Sequence, residues 1–356
     1  MQGKMRALVK TSPVAGATMI DVDIPTPGPH DVLVKVQAAS ICGTDLHIYQ
    51  WDPWAQGRMR LPRRFGHEMA GVVAEVGSAV TVVKPGDFVS ADSHIACGVC
   101  LQCRTGRGHV CANLAILGVD VDGCFADYAL IPDSSTWKND PSLPPDVACV
   151  QDPLGNAVYA TLAEEVTGKA LAVFGCGPTG LFAVGVARAA GAGPIFAVDE
   201  HEFRLELART MGATYTLNAR DDVVGSILSA TGGVGVEVVL EMSGSPSAIK
   251  AGFKALARGG RFTAFGLPHE PLEQFDLAND VIFKGARVLG ITGREMFRTW
   301  FQMASLLKSG ALDPRPVITH RFPLERFQEA FDLILSPDAK CGKVVLIPDP
   351  DQEARR

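Results

Sequence analysis

A glycine pattern near the middle of the chain constrains its fold more than any other feature. The segment AVFGCGPTG places Gly175, Gly177 and Gly180 in the spacing G-x-G-x-x-G. The first glycine permits a tight turn, the second lets the backbone approach a pyrophosphate, and the third allows a helix to pack closely on a strand. Alone the pattern is weak, but it stands between an apolar run typical of a strand and a helical pattern, and helix N-termini attract phosphates. We therefore predict a dinucleotide site at this turn.

Two charged residues after the glycine pattern bear on the choice of dinucleotide. The next predicted strand ends at Asp199, about 20 residues after the last glycine of the pattern. A carboxylate there accepts hydrogen bonds from the adenosine ribose and repels the 2′-phosphate of NADP. Arg204 complicates this interpretation, since an arginine can serve a 2′-phosphate, but it can equally be a solvated helix residue near Glu200 and Glu202. The prediction is NAD.

The strand and helix patterns divide the 356 residues into more than one domain. Short strands bounded by Gly, Pro and Asp, such as 31–40, fill roughly the first 150 residues and indicate a mainly antiparallel β unit. Further along, near-continuous apolar runs alternate with helical patterns, which indicates a parallel sheet covered on both faces. We predict an α/β chain with a β-rich domain over 1–154, completed by a C-terminal return over 297–356, and a doubly wound parallel-sheet domain over 155–296.

Composition argues against several classes of protein. The net charge of −6 comes with no block of like charges, which argues against nucleic acid and a membrane surface as partners. No run of about 18 apolar residues is present, and the N-terminus lacks the apolar segment of a signal peptide. Nine cysteines is an odd number, so we expect reduced thiols and a cytoplasmic protein that acts on a small molecule.

Four of the cysteines fall within the segment CGVCLQCRTGRGHVC, with the spacing C-x2-C-x2-C-x7-C. Four thiolates complete a tetrahedral zinc shell and leave no position open for water or substrate. An iron–sulfur cluster is the competing use of four cysteines, and disulfides are disfavoured for thiols that stay reduced. We predict a structural zinc held by Cys97, Cys100, Cys103 and Cys111.

A second set of donors is needed for chemistry, because a closed four-thiolate site cannot act as a Lewis acid. The segments ICGTDLHIY and FGHEMAG supply Cys42, His67 and Glu68. A catalytic zinc usually has three protein ligands and one open position. Taken alone this set is a weak signal, because a lone cysteine is more often a small buried apolar residue and Gly-His-Glu can be a plain turn.

In their order along the chain, CGTD, GHE, the four-cysteine loop and the glycine pattern resemble the zinc-dependent medium-chain dehydrogenase/reductase family. The resemblance covers essentially the whole chain. It implies a GroES-like β-rich catalytic domain and a Rossmann domain, alcohol oxidation with hydride transfer to NAD, and a homotetramer. It also implies two zinc ions per chain, one catalytic and one structural, on the two ligand sets just described.

The resemblance assigns roles beyond the metal ligands. Thr44 and His47 match proton-relay positions, and His94 matches a position close to the substrate. A relay is chemically sensible because a hydroxyl both accepts and donates a proton and an imidazole titrates near neutral pH. The alternatives are that the Thr44 hydroxyl caps a turn and that the His47 ring only makes hydrogen bonds within the protein. The implied cofactor contacts are Gly175, Gly177, Thr179, Gly180, Asp199, Arg204, Phe265, Gly266, Leu267, Ile291 and Thr292.

Three positions leave the site open to more than one interpretation. Asp152 stands where the family usually has glutamate, and its carboxylate reaches about 1.5 Å less. We predict that Asp152 is a catalytic residue that either binds the zinc directly or contacts one of its ligands. Thr292 stands where tyrosine is common. Arg294 could face an anionic group of the substrate or pair with Glu295.

A dinucleotide-binding protein without zinc chemistry is the rival class, but such a protein would lack the three catalytic ligands.

Overall fold

The computed structural model describes residues 3–268 and 270–349. The chain forms two compact units, Met1–Asp152 with Ile318–Arg356, and Pro153–Val317. The predicted α/β class is confirmed, because one unit is built on antiparallel strands and the other on a parallel sheet. Within the described residues, no helix combines the length and apolar character needed to cross a bilayer.

The first unit is rich in short strands, as the Gly- and Pro-bounded runs predict. Its N-terminal elements are β1 Lys4–Lys10, β2 Thr18–Asp23, β3 Asp31–Ser40, α1 Gly43–Gln50, α2 Pro53–Arg58, β4 Arg63–Arg64, β5 Glu68–Val76, β6 Phe88–Ala91, β7 His94–Ile95, α3 Leu101–Arg104, β8 Ala115–Ile116, β9 Tyr128–Pro132, β10 Thr136–Lys138 and α4 Pro145–Cys149.

The second unit alternates strands with helices. Its elements are α5 Gln151–Leu162, β11 Leu171–Phe174, α6 Pro178–Ala189, β12 Ile195–Asp199, α7 Glu202–Met211, β13 Tyr215–Asn218, α8 Val223–Ala230, β14 Val236–Glu241, α9 Pro246–Ala255, β15 Leu256–Ala264, β16 Arg287–Gly290 and α10 Arg298–Lys308. The chain then returns to the first unit through β17 Ile318–Pro323, α11 Phe327–Leu335 and β18 Lys343–Ile347.

The main sheet of the first unit is centred on β3, which pairs antiparallel with β5, β9 and β18. Its apolar side chains join one core, in which the ring of Tyr49 from α1 stacks on Phe331 from α11 with centroids 4.3 Å apart. The C-terminal return therefore completes both the sheet and the core of this unit.

The sheet of the second unit has the strand order β13-β12-β11-β14-β15-β16, and every pairing is parallel. The chain runs outward from β11 through β12 to β13, and then crosses back to β14 on the other side of β11. Doubly wound sheets bind ligands at the carboxyl ends of the strands where the order reverses. In this sheet that position lies between β11 and β14.

The second boundary between the units differs from the predicted one. The sequence places the boundary at residue 297, whereas the compact units meet between Val317 and Ile318. Trp300 and Met303 of α10 are fully buried, and Leu312 lies so close to Gly185 of α6 that an added Cβ would be 2.9 Å from it. The segment up to residue 317 thus packs with the second unit, because its apolar face is buried there. The first boundary lies within two residues of the predicted one, at 152 rather than 154.

Candidate active site and metal centres

Three side chains with metal-binding atoms converge in the first unit. Cys42 is the N-cap of α1, His67 immediately precedes β5, and Glu68 is the first residue of that strand. One donor atom from each lies within 4.8 Å of the others, and both His67 and Glu68 are buried. Sulfur, nitrogen and oxygen donors in one cluster fit a zinc ion with a position left for substrate.

A buried carboxylate lies behind His67. Asp45 Oδ2 accepts a hydrogen bond of 2.8 Å from the backbone N–H of Cys42, and its Oδ1 lies 3.5 Å from His67 Nδ1. Burial is the largest single influence and would lower the pKa of His67, but the charges and hydrogen bonds of Asp45 and Cys42 together outweigh burial and raise the pKa well above the ordinary value. A carboxylate on the Nδ1 side orients the ring and leaves Nε2 as the nitrogen that can bind a metal. No role was predicted for Asp45, although it is part of CGTD.

Glu68 has a buried cationic partner that the sequence analysis also missed. Both Ser40 and Lys343 donate to Glu68 Oε2, and Lys343 Nζ also donates to the carbonyl of Ile41 at 3.0 Å. Burial is the largest single influence and would lower the pKa of Lys343, but Glu68, Cys42 and Asp45 together outweigh burial, and the pKa is raised. One oxygen of Glu68 is therefore held by the protein, which leaves the other for a metal.

Asp152 lies in the first turn of α5 and is buried. It is outside the three-residue donor group. Its Oδ1 accepts a hydrogen bond of 3.1 Å from Ser93 Oγ. This contact connects Asp152 to the segment that carries His94, whose backbone N–H donates to Asp92 at 2.9 Å. His94 itself is buried in β7.

The two predicted relay residues lie on α1. Thr44 and His47 are three positions apart and share one face of the helix. Asp52 Oδ2 lies 2.5 Å from His47 Nδ1, while its Oδ1 accepts from the backbone N–H of Ala55 and caps α2. Burial would raise the pKa of Asp52, but the hydrogen bonds from Ala55 and His47 lower it. Asp52 is therefore an ionised partner for the ring, and no motif in the sequence had pointed to it.

The sulfur atoms of the four clustered cysteines all lie within 4.8 Å of one another. Cys100 Sγ lies 3.4 Å from Cys103 Sγ and 3.8 Å from Cys111 Sγ, and all nine cysteines are free thiols. Zinc–sulfur bonds of about 2.3 Å in a tetrahedron place sulfur atoms about 3.8 Å apart. Backbone N–H groups of Val99 and Cys100 lower the pKa of Cys97 to about 6, which favours the thiolate that zinc requires. The arrangement fits a structural zinc.

Arg294 belongs to the second unit and is 1% exposed. Its Nη1 donates to Asn156 Oδ1 at 2.9 Å. Glu295 pairs with Arg298 at 2.8 Å.

The glycine turn has the geometry that a dinucleotide needs. Gly175 has φ +96°, which favours glycine, and a Cβ atom placed at Gly180 would lie 1.9 Å from the carbonyl oxygen of Gly175. Gly177 is the N-cap of α6, and a Cβ there would meet no atom within 4 Å. One glycine therefore permits the turn, one permits the helix to pack, and one leaves space at the helix N-terminus, so the turn fits a pyrophosphate.

A cavity of about 400 Å³ adjoins this turn and is lined by Gly175, Asp199, Arg204 and Ser243, among others. Asp199 accepts hydrogen bonds from the backbone N–H groups of Cys176 at 2.8 Å and His201 at 2.9 Å. Arg204 Nη1 lies 3.8 Å from Asp199 Oδ2. These hydrogen bonds fix the Asp199 carboxylate next to the glycine turn, and Arg204 lies beside that carboxylate.

The other predicted cofactor residues lie at the same edge of the sheet. Thr179 is in the first turn of α6, Phe265, Gly266 and Leu267 follow β15, and Ile291 and Thr292 follow β16. Because β11, β14, β15 and β16 are parallel, their carboxyl ends share one edge. Ile291 lines a second cavity, of about 310 Å³, together with Tyr159 and Arg298.

Comparison with protein-family models matches both parts of the chain. The model described as "Alcohol dehydrogenase GroES-like domain" matches residues 28–142, and the model described as "Zinc-binding dehydrogenase" matches residues 178–309. The first match covers both clusters of predicted metal ligands, and the second begins within the glycine turn.

Curated relatives match over nearly the full length. The chain is 52% identical over 350 residues to the L-threonine 3-dehydrogenase of Bacillus velezensis, covering 98% of this chain and 100% of the relative. It is 50% identical to the enzyme of the same name from Bacillus subtilis, covering 97% and 99%.

Solved structures show the same fold at lower identity. A short chain alcohol dehydrogenase from Escherichia coli CFT073, complexed with NADH, gives a TM-score of 0.88 at 28% identity over 97% of this chain and 99% of that one. A putative zinc-binding dehydrogenase from Sinorhizobium meliloti, bound to NADP, gives 0.88 at 33% identity, covering 98% and 100%. The 2R,3R-butanediol dehydrogenase of Bacillus subtilis gives 0.87 at 27% identity, covering 97% and 100%.

Proposed function

Because the chain belongs to the zinc-dependent medium-chain dehydrogenase/reductase family, we propose that it oxidises L-threonine to 2-amino-3-ketobutyrate with NAD as the hydride acceptor. The observation that carries this proposal is the full-length identity of about half to relatives named L-threonine 3-dehydrogenase. The fold alone does not choose the substrate, since an alcohol and a butanediol enzyme share it.

Several long segments of the chain support threonine as the substrate. CGTDLHIYQWDPWAQ, SHIACGVCLQCRTGRGHVC and ILGVDVDGCFADY resemble L-threonine 3-dehydrogenases specifically. They contain tryptophans at 51 and 54, so they are more distinctive than the short motifs that the whole family shares. DPLGNAV and GREMF resemble the same enzymes.

The alternative is another zinc-dependent dehydrogenase of secondary alcohols or polyols, of the sorbitol or 2,3-butanediol type. It would have the same fold, both metal centres and the same cofactor. It is not favoured, because the butanediol enzyme is 27% identical to this chain and the threonine enzymes are about 50% identical.

The chemistry follows from the two groups that the site fits and from the residues around them. Zinc held by Cys42, His67 and Glu68 would lower the pKa of the substrate hydroxyl, and NAD would accept the hydride. Thr44 Oγ1 accepts the hydroxyl proton and passes its own proton onward. His47 receives that proton at Nε2, because Asp52 holds Nδ1, and releases it to solvent.

The substrate also carries an ammonium and a carboxylate. Asp152 is the acidic residue that we propose for the ammonium, since it is a buried carboxylate that accepts a hydrogen bond from Ser93, next to His94 in the chain. His94, two positions from Asp92 in the same segment, is proposed to orient the substrate. Its buried ring fits a positioning role better than proton exchange with solvent.

We propose two zinc ions per chain, one catalytic and one held by the four clustered cysteines. NAD is preferred to NADP because the fixed carboxylate of Asp199 at the mouth of the turn repels a 2′-phosphate. Metal analysis that found one zinc per chain, or a lower KM for NADP than for NAD, would overturn these assignments.

The remaining proposals concern the whole protein. It is expected to act in the cytoplasm as a homotetramer, as the family resemblance implies. Among the described residues, no strand pairs with the outer side of the edge strand β16, so a second copy could pair there across a two-fold axis. Light scattering would measure the mass, and a monomer would contradict the tetramer.

The deciding experiment compares NADH production from L-threonine, sorbitol and 2,3-butanediol at equal concentrations. We expect the highest kcat/KM with L-threonine, loss of turnover when zinc is removed, and recovery when zinc is restored. A higher kcat/KM with either diol or polyol would favour the alternative function.

A further inference from the structure

A buried carboxylate lies at the point where the order of the parallel sheet reverses. Glu241 is the last residue of β14, pairs in register with Phe174 of β11, and has no exposed surface. Phe174 immediately precedes the glycine turn, so Glu241 lies beside the proposed pyrophosphate site. The sequence motifs give this residue no role.

The side chain of Glu241 holds the turn that follows β14. Its Oε1 accepts three hydrogen bonds, from the backbone N–H of Ser243 at 2.9 Å, from Ser243 Oγ at 2.5 Å and from the backbone N–H of Gly244 at 3.0 Å. A carboxylate oxygen with several donors is the acceptor that an amide or hydroxyl replaces poorly. Burial is the main cause that raises the pKa of Glu241, and the Ser243 donors act against it.

The main chain of Glu241 holds a second turn. Its carbonyl oxygen accepts from the backbone N–H of Phe265 at 3.0 Å and of Gly266 at 3.1 Å, immediately after β15. The two turns are in close contact, because a Cβ placed at Gly266 would lie 2.0 Å from the nitrogen of Gly244 and 2.8 Å from Glu241 Oε2. One residue therefore fixes both turns at the carboxyl edge of the sheet.

These turns border the cofactor site. Ser243 lines the cavity that adjoins the glycine turn, and a Cβ placed at Gly175 would lie 2.8 Å from the Cβ of Ser243. A shift of the Ser243 turn would therefore change the space in which the dinucleotide lies. Phe265 and Gly266, on the second turn, are themselves predicted cofactor contacts.

We infer that Glu241 is a positioning residue for the nicotinamide cofactor: it holds the 243–244 and 265–266 turns in the geometry that the dinucleotide requires. The inference rests on the proposed cofactor. It concerns affinity for the dinucleotide and assigns Glu241 no part in proton or hydride transfer. Charge acts on the affinity in the opposite direction, because an ionised Glu241 carboxylate repels the dianionic pyrophosphate of the cofactor.

The test is Glu241→Gln, which keeps the shape and volume of the side chain. The amide oxygen can still accept at the Oε1 position, but the amide nitrogen then faces the backbone N–H of Gly244, which lies 3.2 Å from Oε2, and the charge that strengthens all of these hydrogen bonds is lost. We expect binding of NADH, measured by fluorescence titration without substrate, to weaken about tenfold. KM for NAD should rise by a similar factor, while kcat at saturating NAD stays within about twofold.

Glu237→Gln is the matched control, since Glu237 lies on the same strand, is exposed and accepts only from the backbone N–H of Ala170 at 3.1 Å among its described contacts. It should leave NADH binding unchanged. Ser243→Ala removes one hydrogen-bond donor and leaves the Glu241 carboxylate in place. It therefore tests whether Glu241 holds the 243–244 turn if Glu241→Gln fails to fold. We expect it to weaken NADH binding about threefold.

The outcomes separate the two proposals. If the wild-type protein does not bind NADH, the proposed cofactor is wrong. If the wild type binds NADH and folded Glu241→Gln binds it equally or more tightly, the positioning role is overturned, and tighter binding would indicate that charge repulsion dominates. A loss of kcat with unchanged NADH affinity would also overturn it, as would unchanged binding by Ser243→Ala.

Discussion

Lys343 shows how a single residue can set the properties of Glu68, a proposed metal ligand. It is 3% exposed, and it donates to the Glu68 carboxylate and to the Ile41 carbonyl. A buried charge that loses its partner is strongly destabilising, whereas a metal ion can replace a lost cation beside a carboxylate. The stability of this unit and its binding of zinc should therefore be coupled through Lys343.

Replacement of Lys343 by methionine is expected to lower the free energy of unfolding of the zinc-free protein by about 3 kcal/mol. Zinc should restore much of this loss, because it compensates the charge left on Glu68. Urea unfolding with and without zinc measures both values. Lys340→Met, at an exposed lysine of the same segment, is the control. An equal loss with and without zinc would show that Lys343 only fills space.

His47 and Asp52 give a second prediction at this scale. His47→Gln should lower kcat about 100-fold at neutral pH, because the relay loses its acceptor. Asp52→Asn should lower it roughly tenfold, because the ring keeps its position but no longer has an ionised partner at Nδ1. Both are measured as kcat against pH with threonine.

The chain offers a matched control for this pair. His30 Nδ1 lies 3.1 Å from Asp133 Oδ2 on the surface, far from any predicted site residue in sequence. His30→Gln should leave kcat and its pH dependence unchanged. Full turnover with an unaltered pH profile in His47→Gln would exclude the relay.

At the scale of one element, two glycines of the strand–turn–helix unit β11–α6 allow the effect of a substitution on stability to be measured separately from its effect on NADH binding. Gly180→Ala places a methyl group 1.9 Å from the carbonyl oxygen of Gly175, so the helix must move off the strand. We expect a loss of about 2 kcal/mol in the free energy of unfolding. Gly177→Ala meets no atom within 4 Å and has a φ of −62°, so the fold should keep its stability.

Gly177→Ala should nevertheless weaken NADH binding, because its methyl group occupies the space at the helix N-terminus that a pyrophosphate needs. Thermal unfolding and NADH fluorescence of both variants measure the two effects. Normal NADH binding by Gly177→Ala would place the pyrophosphate elsewhere.

The four-cysteine loop has little secondary structure of its own. It contains the four-residue α3, a three-residue 3-10 turn at 108–110, and the two-residue strands β7 and β8 on either side. Arg104 and Arg107 are exposed. If zinc holds the loop, Cys103→Ser should release the backbone around these arginines, so that it can adopt the extended conformation that trypsin cleaves. We expect cleavage at these arginines at least tenfold faster than in the wild type, and one zinc fewer per chain. Identical digestion of both proteins would show that the loop is held without metal.

At the scale of elements, the sequence correctly predicts features that depend on residues close together in the chain. The strand 31–40 and the glycine turn are specified by neighbouring residues, and both lie where predicted. The metal clusters were predicted from short spacings and from a family resemblance. Lys343 was not, because its contact with Glu68 joins positions 275 residues apart and no local pattern records it. Asp52 was missed for a different reason, since an aspartate before a proline reads as a plain helix cap.

For the whole molecule, each unit has its own apolar core and its own ligand. One core includes Phe65, Phe125 and Phe331, and the other includes Phe174, Phe196 and Phe262. Calorimetry should therefore resolve two transitions. NADH at 100 times its Kd should stabilise one by about 2.7 kcal/mol, and chelation of zinc should destabilise the other. A single transition that both treatments shift equally would show that the units unfold together.

The boundary near residue 318 illustrates why domain limits are harder to predict than elements. The apolar side chains of the helix α10 Arg298–Lys308 lie on one face, but the pattern does not say which core that face joins. Trp300 is fully buried with the second unit, and that outcome depends on the surface it meets rather than on its own segment.

The path of the chain also has a consequence for its synthesis. The parallel-sheet unit is continuous in sequence, so a ribosome delivers it whole before the final strands appear. The β-rich unit must wait for β18, which pairs with β3 and carries Lys343. Until those last residues emerge, Glu68 has no buried cation beside it. A nascent chain would thus hold an unfinished site for the proposed catalytic zinc throughout most of its translation, and ribosome-bound intermediates should acquire that metal late.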